Sequence, residues 1–169
     1  DSDSNGAILW SYNLDGELSG NLAIDSEGNI YVVTTSGIYS INKDGAKRWN
    51  YDYVSENISG IAISRDVIIA PIAGNSLYFI NQTDGQRYGH SNIYQASSLF
   101  APIVDSNSVI YIVSEYQHAS DDYKLVIIPY QLWEYGGNPT LISLGKSQPS
   151  SAPVIIDDNY AVVTCTDRR

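Results

Sequence analysis

Several residues stand at spacings that could do chemistry. Asp1, Asp3 and Asn5 alternate ahead of Gly6, like the first half of a calcium loop. Such a loop also needs a bidentate acid at its twelfth position, and that position is Tyr12. Asp121-Asp122 and Asp157-Asp158 are paired carboxylates, but a hard cation needs several oxygens brought together, and Asp beside Asn or Gly is equally the composition of a turn. His90 and His118 stand 28 residues apart, with no second His or Cys at zinc-ligand spacing. Ser97-Ser98 and Ser150-Ser151 lie at strand entries, where hydroxyls bond turn backbone; neither a nucleophile elbow nor a phosphate loop surrounds them. Cys165 is the one cysteine, so no disulfide forms within the chain. Its setting, AVVTCT, suits a small buried apolar residue. The residues thus assign no catalytic group, no cofactor and no metal.

The elements that would position these residues follow from composition and repetition. The 169 residues suffice for one domain with a sizeable core, and an apolar share of 43% argues against disorder. Tyrosine occurs 14 times against 2 phenylalanines, and with the β-branched residues it favours half-buried pleated surfaces. A formal net charge of -10, with no concentrated Lys or Arg, excludes an unaided nucleic-acid binder. No run is long and apolar enough for a membrane-spanning helix.

A repeat runs the length of the chain. Trp10, Trp49, Tyr88 and Trp133 each follow a turn and open a short strand, at intervals of 39, 39 and 45 residues. The segments between them match: LSGNLAIDSEGNIYVVTTSGIYSINKDGAKRWNY, ISGIAISRDVIIAPIAGNSLYFINQTDGQRYGH, and a third copy expanded at SEYQHASDDYKL. PSSAPVIIDDNYAVVTCTDRR stops halfway through a fourth. Each full copy divides into four short strands separated by turn residues, with no sustained helical period. Units of about 40 residues built from four strands predict an all-β partial propeller, because one thin blade buries its faces only against its neighbours. The expected blades are 1–12 (last strand only), 18–51, 58–90, 99–135 and 149–169 (first two strands), within a single unit 1–169. Trp10, Trp49, Tyr88 and Trp133 are expected as wedges between blades.

Ile30-Tyr31-Val32-Val33, Gly37-Ile38-Tyr39, Asp44-Gly45 and Trp49 together resemble the quinoprotein-type repeat. The second copy matches at Leu77-Tyr78, Asp84-Gly85 and Tyr88, and the third at Ile110-Tyr111-Ile112-Val113 and Leu132-Trp133. Such repeats occur in PQQ-dependent alcohol dehydrogenases and in outer-membrane assembly lipoproteins of the BamB type. The regular Gly-His and Trp-Asp pairs of WD40 propellers and the per-blade Gly-Gly of kelch propellers are missing. For the dehydrogenases the resemblance implies calcium beside a quinone, a catalytic aspartate, stacking aromatics and often a vicinal disulfide. Lone Cys165 excludes that disulfide, and ligands drawn from scattered loops map onto no residue here.

The functional expectation is a non-catalytic scaffold or protein-binding module, a portion of a larger protein in an extracellular or periplasmic setting. Two other readings stay open: part of a quinone- and calcium-dependent oxidoreductase, and a carbohydrate-binding cell-surface module. Lengthened loops on a regular scaffold are where binding concentrates, so Tyr116, His118, Asp121, Asp122 and Tyr123 in the third copy form the candidate partner-binding loop. Asn57 and Asn81 head Asn-x-Ser/Thr triplets that could carry glycan. GGNPTLISLGKSQPS reads as a long linker whose Leu141, Ile142 and Leu144 need cover. Incomplete blades expose unpaired strands, so missing blades, a protein partner or a second copy of the chain is expected to complete them. In a self-closing version, Ile8 to Tyr12 would pair with the strands after Pro153.

Overall fold

The computed structural model describes residues 6–52, 58–72, 75–93, 96–116, 122–129, 138–146, 148–156 and 160–166, those at 96–99 by backbone alone. The architecture is all-β, in four-stranded antiparallel sheets laid out as propeller blades. The first contains β1 (Ala23–Ile24), β2 (Ile30–Val33), β3 (Gly37–Ile41) and β4 (Lys47–Asp52), hydrogen-bonded in that order. The second repeats it with β5 (Ala62–Ser64), β6 (Val67–Ile72), β7 (Ser76–Asn81) and β8 (Arg87–Asn92). In the third, β9 (Ala96–Leu99) and β10 (Ile103–Val104) both pair with β11 (Ile110–Tyr116), followed by β12 (Asp122–Ile128) and β13 (Thr140–Gly145). The hairpin of β14 (Val154–Ile156) and β15 (Tyr160–Val162) follows.

Alternation along the strands decides which blade each side chain joins, because successive residues of a strand point to opposite faces. On β6, Ile68, Ala70 and Ile72 enter a core with Tyr31, Val33, Ile38 and Trp49 of the first sheet. Val67 and Ile69 enter the opposite core with Ile110, Ile112, Val126 and Ile128 of the third. The second sheet is therefore apolar on both faces, and β6 reads as the continuous run VIIAPI. Each fully buried isoleucine contributes about 1.5–3 kcal/mol of transfer free energy.

The strand entries nearest the centre come closer still. A Cβ added to Gly20 would lie 2.9 Å from the Gly60 Cα, and one added to Gly60 would lie 2.8 Å from the Ala101 Cβ. The Asn21 side chain clamps the next blade, accepting from the Ile61 amide (2.8 Å) and donating to the Ile61 carbonyl (3.1 Å). SGN, SGI, FAP and SAP recur at these entries because a bulky residue would hold the blades apart.

The fourth hairpin copies the first. Val33 accepts from the Ser19 amide and Glu17 from the Thr35 amide; adding 131 to each number gives the bonds Ser150 to Thr164 and Thr166 to Gln148. The bridges Leu18↔Thr34 and Pro149↔Cys165 keep that offset, as do the pairs Ala23↔Tyr31 and Val154↔Val162. At both extremes of the chain, apolar side chains lie open: Ile8 (86% exposed), Leu22 and Ile24 (59% each), and Val154 (58%), Tyr160 (69%) and Val162 (41%).

Two expectations change. Residues 7–14 form no strand pairing among the described residues, so the self-closing pairing of Ile8 to Tyr12 with the strands after Pro153 is not present. The fourth strand of the third sheet is Thr140–Gly145, inside the segment read as a linker, so this blade reaches past residue 135. The connection sets the difference: eleven residues, 129–139, separate β12 from β13, against five between β3 and β4 and five between β7 and β8, so the outer strand begins later.

Candidate functional site

The recurring aromatics form seams between blades. The Trp49 indole N–H donates to the Gln82 carbonyl (2.9 Å), and its ring lies against Gly85 in the Asp-Gly turn of the next blade. Trp10 repeats the arrangement one blade earlier, donating to the Lys43 carbonyl (2.9 Å) and lying against Gly45. Both indoles reach 33 residues ahead. Gly85 (φ +73) and Gly45 (φ +85) have the left-handed backbone that the turns require, and a Cβ on either would strike the tryptophan at 2.5 Å and 2.7 Å. Tyr88 departs from the series: it is 57% exposed, and its ring sits 6.4 Å from Phe79 of its own sheet rather than wedged between blades. Trp133 lies outside the described residues.

The carboxylates nearest the centre serve the turns. Asp25 Oδ1 accepts from the amides of Glu27 (3.0 Å) and Asn29 (2.8 Å), while Oδ2 accepts from the Asn29 amide side chain (2.9 Å) and the Tyr31 hydroxyl (2.8 Å). Burial acts to raise the Asp25 pKa, but these hydrogen bonds outweigh it and hold the carboxyl below its ordinary value. Asp105 repeats the scheme with the amides of Asn107 and Val109 and the Tyr111 hydroxyl (3.2 Å). Sequence reasoning passed over both, although DSEGNIY and DSNSVIY carry the signal in their shared spacing of Asp and Tyr.

Tyr31 links this turn to the outer strand. Arg48 Nη1 donates to the Tyr31 hydroxyl and to Ser40 Oγ, both at 3.1 Å. Burial, then the hydrogen bond to Asp25, pushes the Tyr31 phenol up to about 12. Asp25, Tyr31 and Arg48 line a polar concavity of about 470 Å³ between the first two blades, with Arg65, Asp66 and Gln82 opposite. Its walls are cross-braced: Gln82 Nε2 donates to the Arg65 carbonyl (3.0 Å), and Arg65 Nε reaches Ser108 Oγ of the third blade (3.1 Å).

The candidate loop is shorter than the sequence implies. Tyr116 pairs with Asp122 at the end of the β11–β12 ladder, and Tyr123 pairs with Glu115, so three of the five residues belong to strands rather than to a projecting loop. Tyr116 is buried (6% exposed), with the Lys124 ammonium 4.2 Å above its ring centre. Asp122 accepts from the Ser143 hydroxyl at 3.1 and 3.3 Å. His118 and Asp121 lie outside the described residues, as do Asp1, Asp3, Asn5, Asp157 and Asp158. Among the described residues, no three of His, Cys, Asp and Glu gather around a point that could hold a metal. None of them form a helix long and apolar enough to cross a membrane.

Repeated four-stranded blades joined by tryptophan-on-glycine seams define a propeller of the PQQ-like repeat class. The chain belongs to the family described as "Outer membrane protein assembly factor BamB", which it matches over residues 2–166. Among solved structures it resembles BamB from Moraxella catarrhalis, with 19% identity and a TM-score of 0.65, over 94% of this chain and 47% of that one. It also resembles the computationally designed Ika4 protein, with 13% identity and a TM-score of 0.71, over 95% of this chain and 93% of that one. Quinohemoprotein alcohol dehydrogenase from Comamonas testosteroni matches with 20% identity and a TM-score of 0.59, over 85% of this chain and 23% of that one. At these identities the likeness is one of fold. The chain spans about half the length of the BamB structure it matches. No curated protein sequence matches it.

Proposed function

We propose that this chain is a non-catalytic propeller scaffold that binds protein, acting outside the cytoplasm. The observation that carries this reading is the match to an outer membrane protein assembly factor family over residues 2–166. The use of its recurring side chains supports it. The indoles of Trp10 and Trp49 bond backbone carbonyls of the next blade, and the carboxylates of Asp25 and Asp105 close turns. Side chains so committed make a frame, and a frame presents surfaces to partners. The end of the lengthened third hairpin is the proposed contact, with His118, Asp121, Asp122 and Tyr123 facing the partner and buried Tyr116 supporting them from within, because lengthening here leaves both seams intact.

The test compares the intact chain with a variant lacking residues 117–121, by crosslinking in envelope extracts followed by purified binding to the protein identified. Loss of that binding in a variant whose circular dichroism is unchanged is the expected result; unaltered binding removes this hairpin as the site. A parallel titration with PQQ and calcium should evolve no heat and support no alcohol-dependent dye reduction. Turnover would refute the non-catalytic reading.

A further inference from the structure

We propose that the concavity between the first two blades binds a small zwitterion, the class that free amino acids and short peptides share, with Arg48 taking its carboxylate and Asp66 its ammonium. The β1–β2 turn and Arg48 of the first blade face the β5–β6 and β7–β8 turns of the second across it. Its volume of about 470 Å³ is that of a small-molecule site, for which about 300–1,000 Å³ is usual.

The Arg48 guanidinium is half-buried, and both of its hydrogen bonds run from Nη1 to uncharged hydroxyls, those of Tyr31 and Ser40. No carboxylate pairs with it among the described residues. Nε and Nη2, an edge that holds a carboxylate through two parallel bonds, remain uncommitted there. The repeat does not call for this seat. By strand register, Tyr31 and Ser40 correspond to Ile69 and Phe79 of the second blade, which are buried and apolar. Tyr111 keeps the hydroxyl in the third blade, but its partner on the next strand is Ile127. Arg87 precedes Tyr88 as Arg48 precedes Trp49, yet it lies over the Tyr78 ring, 4.6 Å from its centre.

The facing wall is held in place. Arg65 has a left-handed backbone (φ 53), in a turn where the first blade uses Gly28 (φ 84). Glycine takes that conformation freely and arginine does not. Bonds from the Arg65 side chain to Ser108 and from Gln82 to the Arg65 carbonyl pin the turn that carries Asp66.

Charge selects the ligand. The lining carries three carboxylates, Asp25, Glu27 and Asp66, and two guanidinium groups, Arg48 and Arg65. An inorganic anion would meet the carboxylates, and a bare cation would meet the arginines. A ligand with one charge of each sign satisfies both. Asp25 is spent on four donors, and Glu27 accepts from Asn29 (3.4 Å). Asp66, whose carboxylate has no hydrogen bond or ion pair among the described residues, is left for the ammonium.

No residue of the third hairpin lines this concavity, so the test is separate from that of partner binding. Isothermal titration of the 169-residue chain uses trialanine, its N-acetyl form, its C-terminal amide and L-alanine. Trialanine should bind saturably, and each capped form, lacking one charge, should bind about tenfold or more weakly. Binding by L-alanine as tight as by trialanine assigns the free amino acid; tighter binding by trialanine assigns the short peptide. Arg48→Gln should weaken trialanine to the level of the amide and leave the amide unchanged. Asp66→Asn, on an exposed turn, should do the same with respect to the acetylated form. Should Arg48→Gln fail to fold, Arg48→Lys keeps the charge without the fork; it should weaken trialanine and still discriminate against the amide. Absence of saturable heat from trialanine and L-alanine up to roughly 10 mM, capped forms that bind as well as trialanine, or selectivity unchanged in Asp66→Asn would overturn the proposal.

Discussion

Gly85 and Gly145 share nearly the same backbone, with φ of +73 and +72, but not the same surroundings. A Cβ on Gly85 would meet Trp49 at 2.5 Å, whereas one on Gly145 would meet nothing within 4 Å. Gly145→Ala should therefore cost about 1–2 kcal/mol, the left-handed penalty alone. Gly85→Ala should cost about 2–4 kcal/mol once displacement of the indole is added, read as the difference between their urea midpoints. Tyr31 supplies a second residue-scale prediction. Its phenol is neutral in the folded chain up to about 12, against an ordinary 10.0. A raised folded pKa gives stability that is whole below pH 10 and is lost as pH climbs toward 12. The urea midpoint should fall across that window, and Tyr31→Phe should remove part of the fall; Tyr39, Tyr51 and Tyr116, also raised, add to it in the same sense. Asp25 works in the opposite sense. Its lowered pKa gives stability that is present above the ordinary 3.8 and lost as pH falls through the folded value.

Single elements divide their side chains between two cores, which makes adjacent substitutions separable. Ile68 and Ile69 are both fully buried, one in the core shared with the first blade and the other in the core shared with the third. Ile68→Ala and Ile69→Ala should each cost about 2–5 kcal/mol. Only Ile68→Ala should shift Trp49 fluorescence, because Trp49 lies in its core and not in the other. A shift of the same size in both variants would contradict the assignment of faces. The strands of the first two sheets were legible in the sequence because their turns carry Asp, Asn and Gly at regular places. The third sheet was less so. SEYQHASDDYKL is polar enough to read as a loop, yet backbone pairing between β11 and β12 continues through Tyr116 and Asp122. TLISLG follows Gly136-Gly137 and reads as a linker, but its backbone bonds to β12 make it a strand. Local composition cannot report how far a hairpin extends when its strands are satisfied by pairing partners distant in sequence. The same limit hid the Asp25–Tyr31–Arg48 chain, whose members come from a turn, an inner strand and an outer strand.

For the whole molecule, repetition made the architecture readable and left the function general. The family relationship rests on features that hold blades together, and a feature needed by every blade says little about what one blade binds. The seams impose one more consequence. The Trp-to-carbonyl reach of 33 residues and the Asp-to-Tyr bond of six both close at the end of the blades that bears the β1–β2 and β3–β4 turns. The turns at the opposite end carry neither tie. There β2 and β3 are joined by residues 34–36 and β6 and β7 by residues 73–75, whereas β11 and β12 are joined by residues 117–121. The ties therefore fix the seams without fixing the loops: on the tied end itself, five residues join β3 to β4 and β7 to β8 but eleven join β12 to β13, so a blade can gain length on either end while its core stays packed against its neighbour.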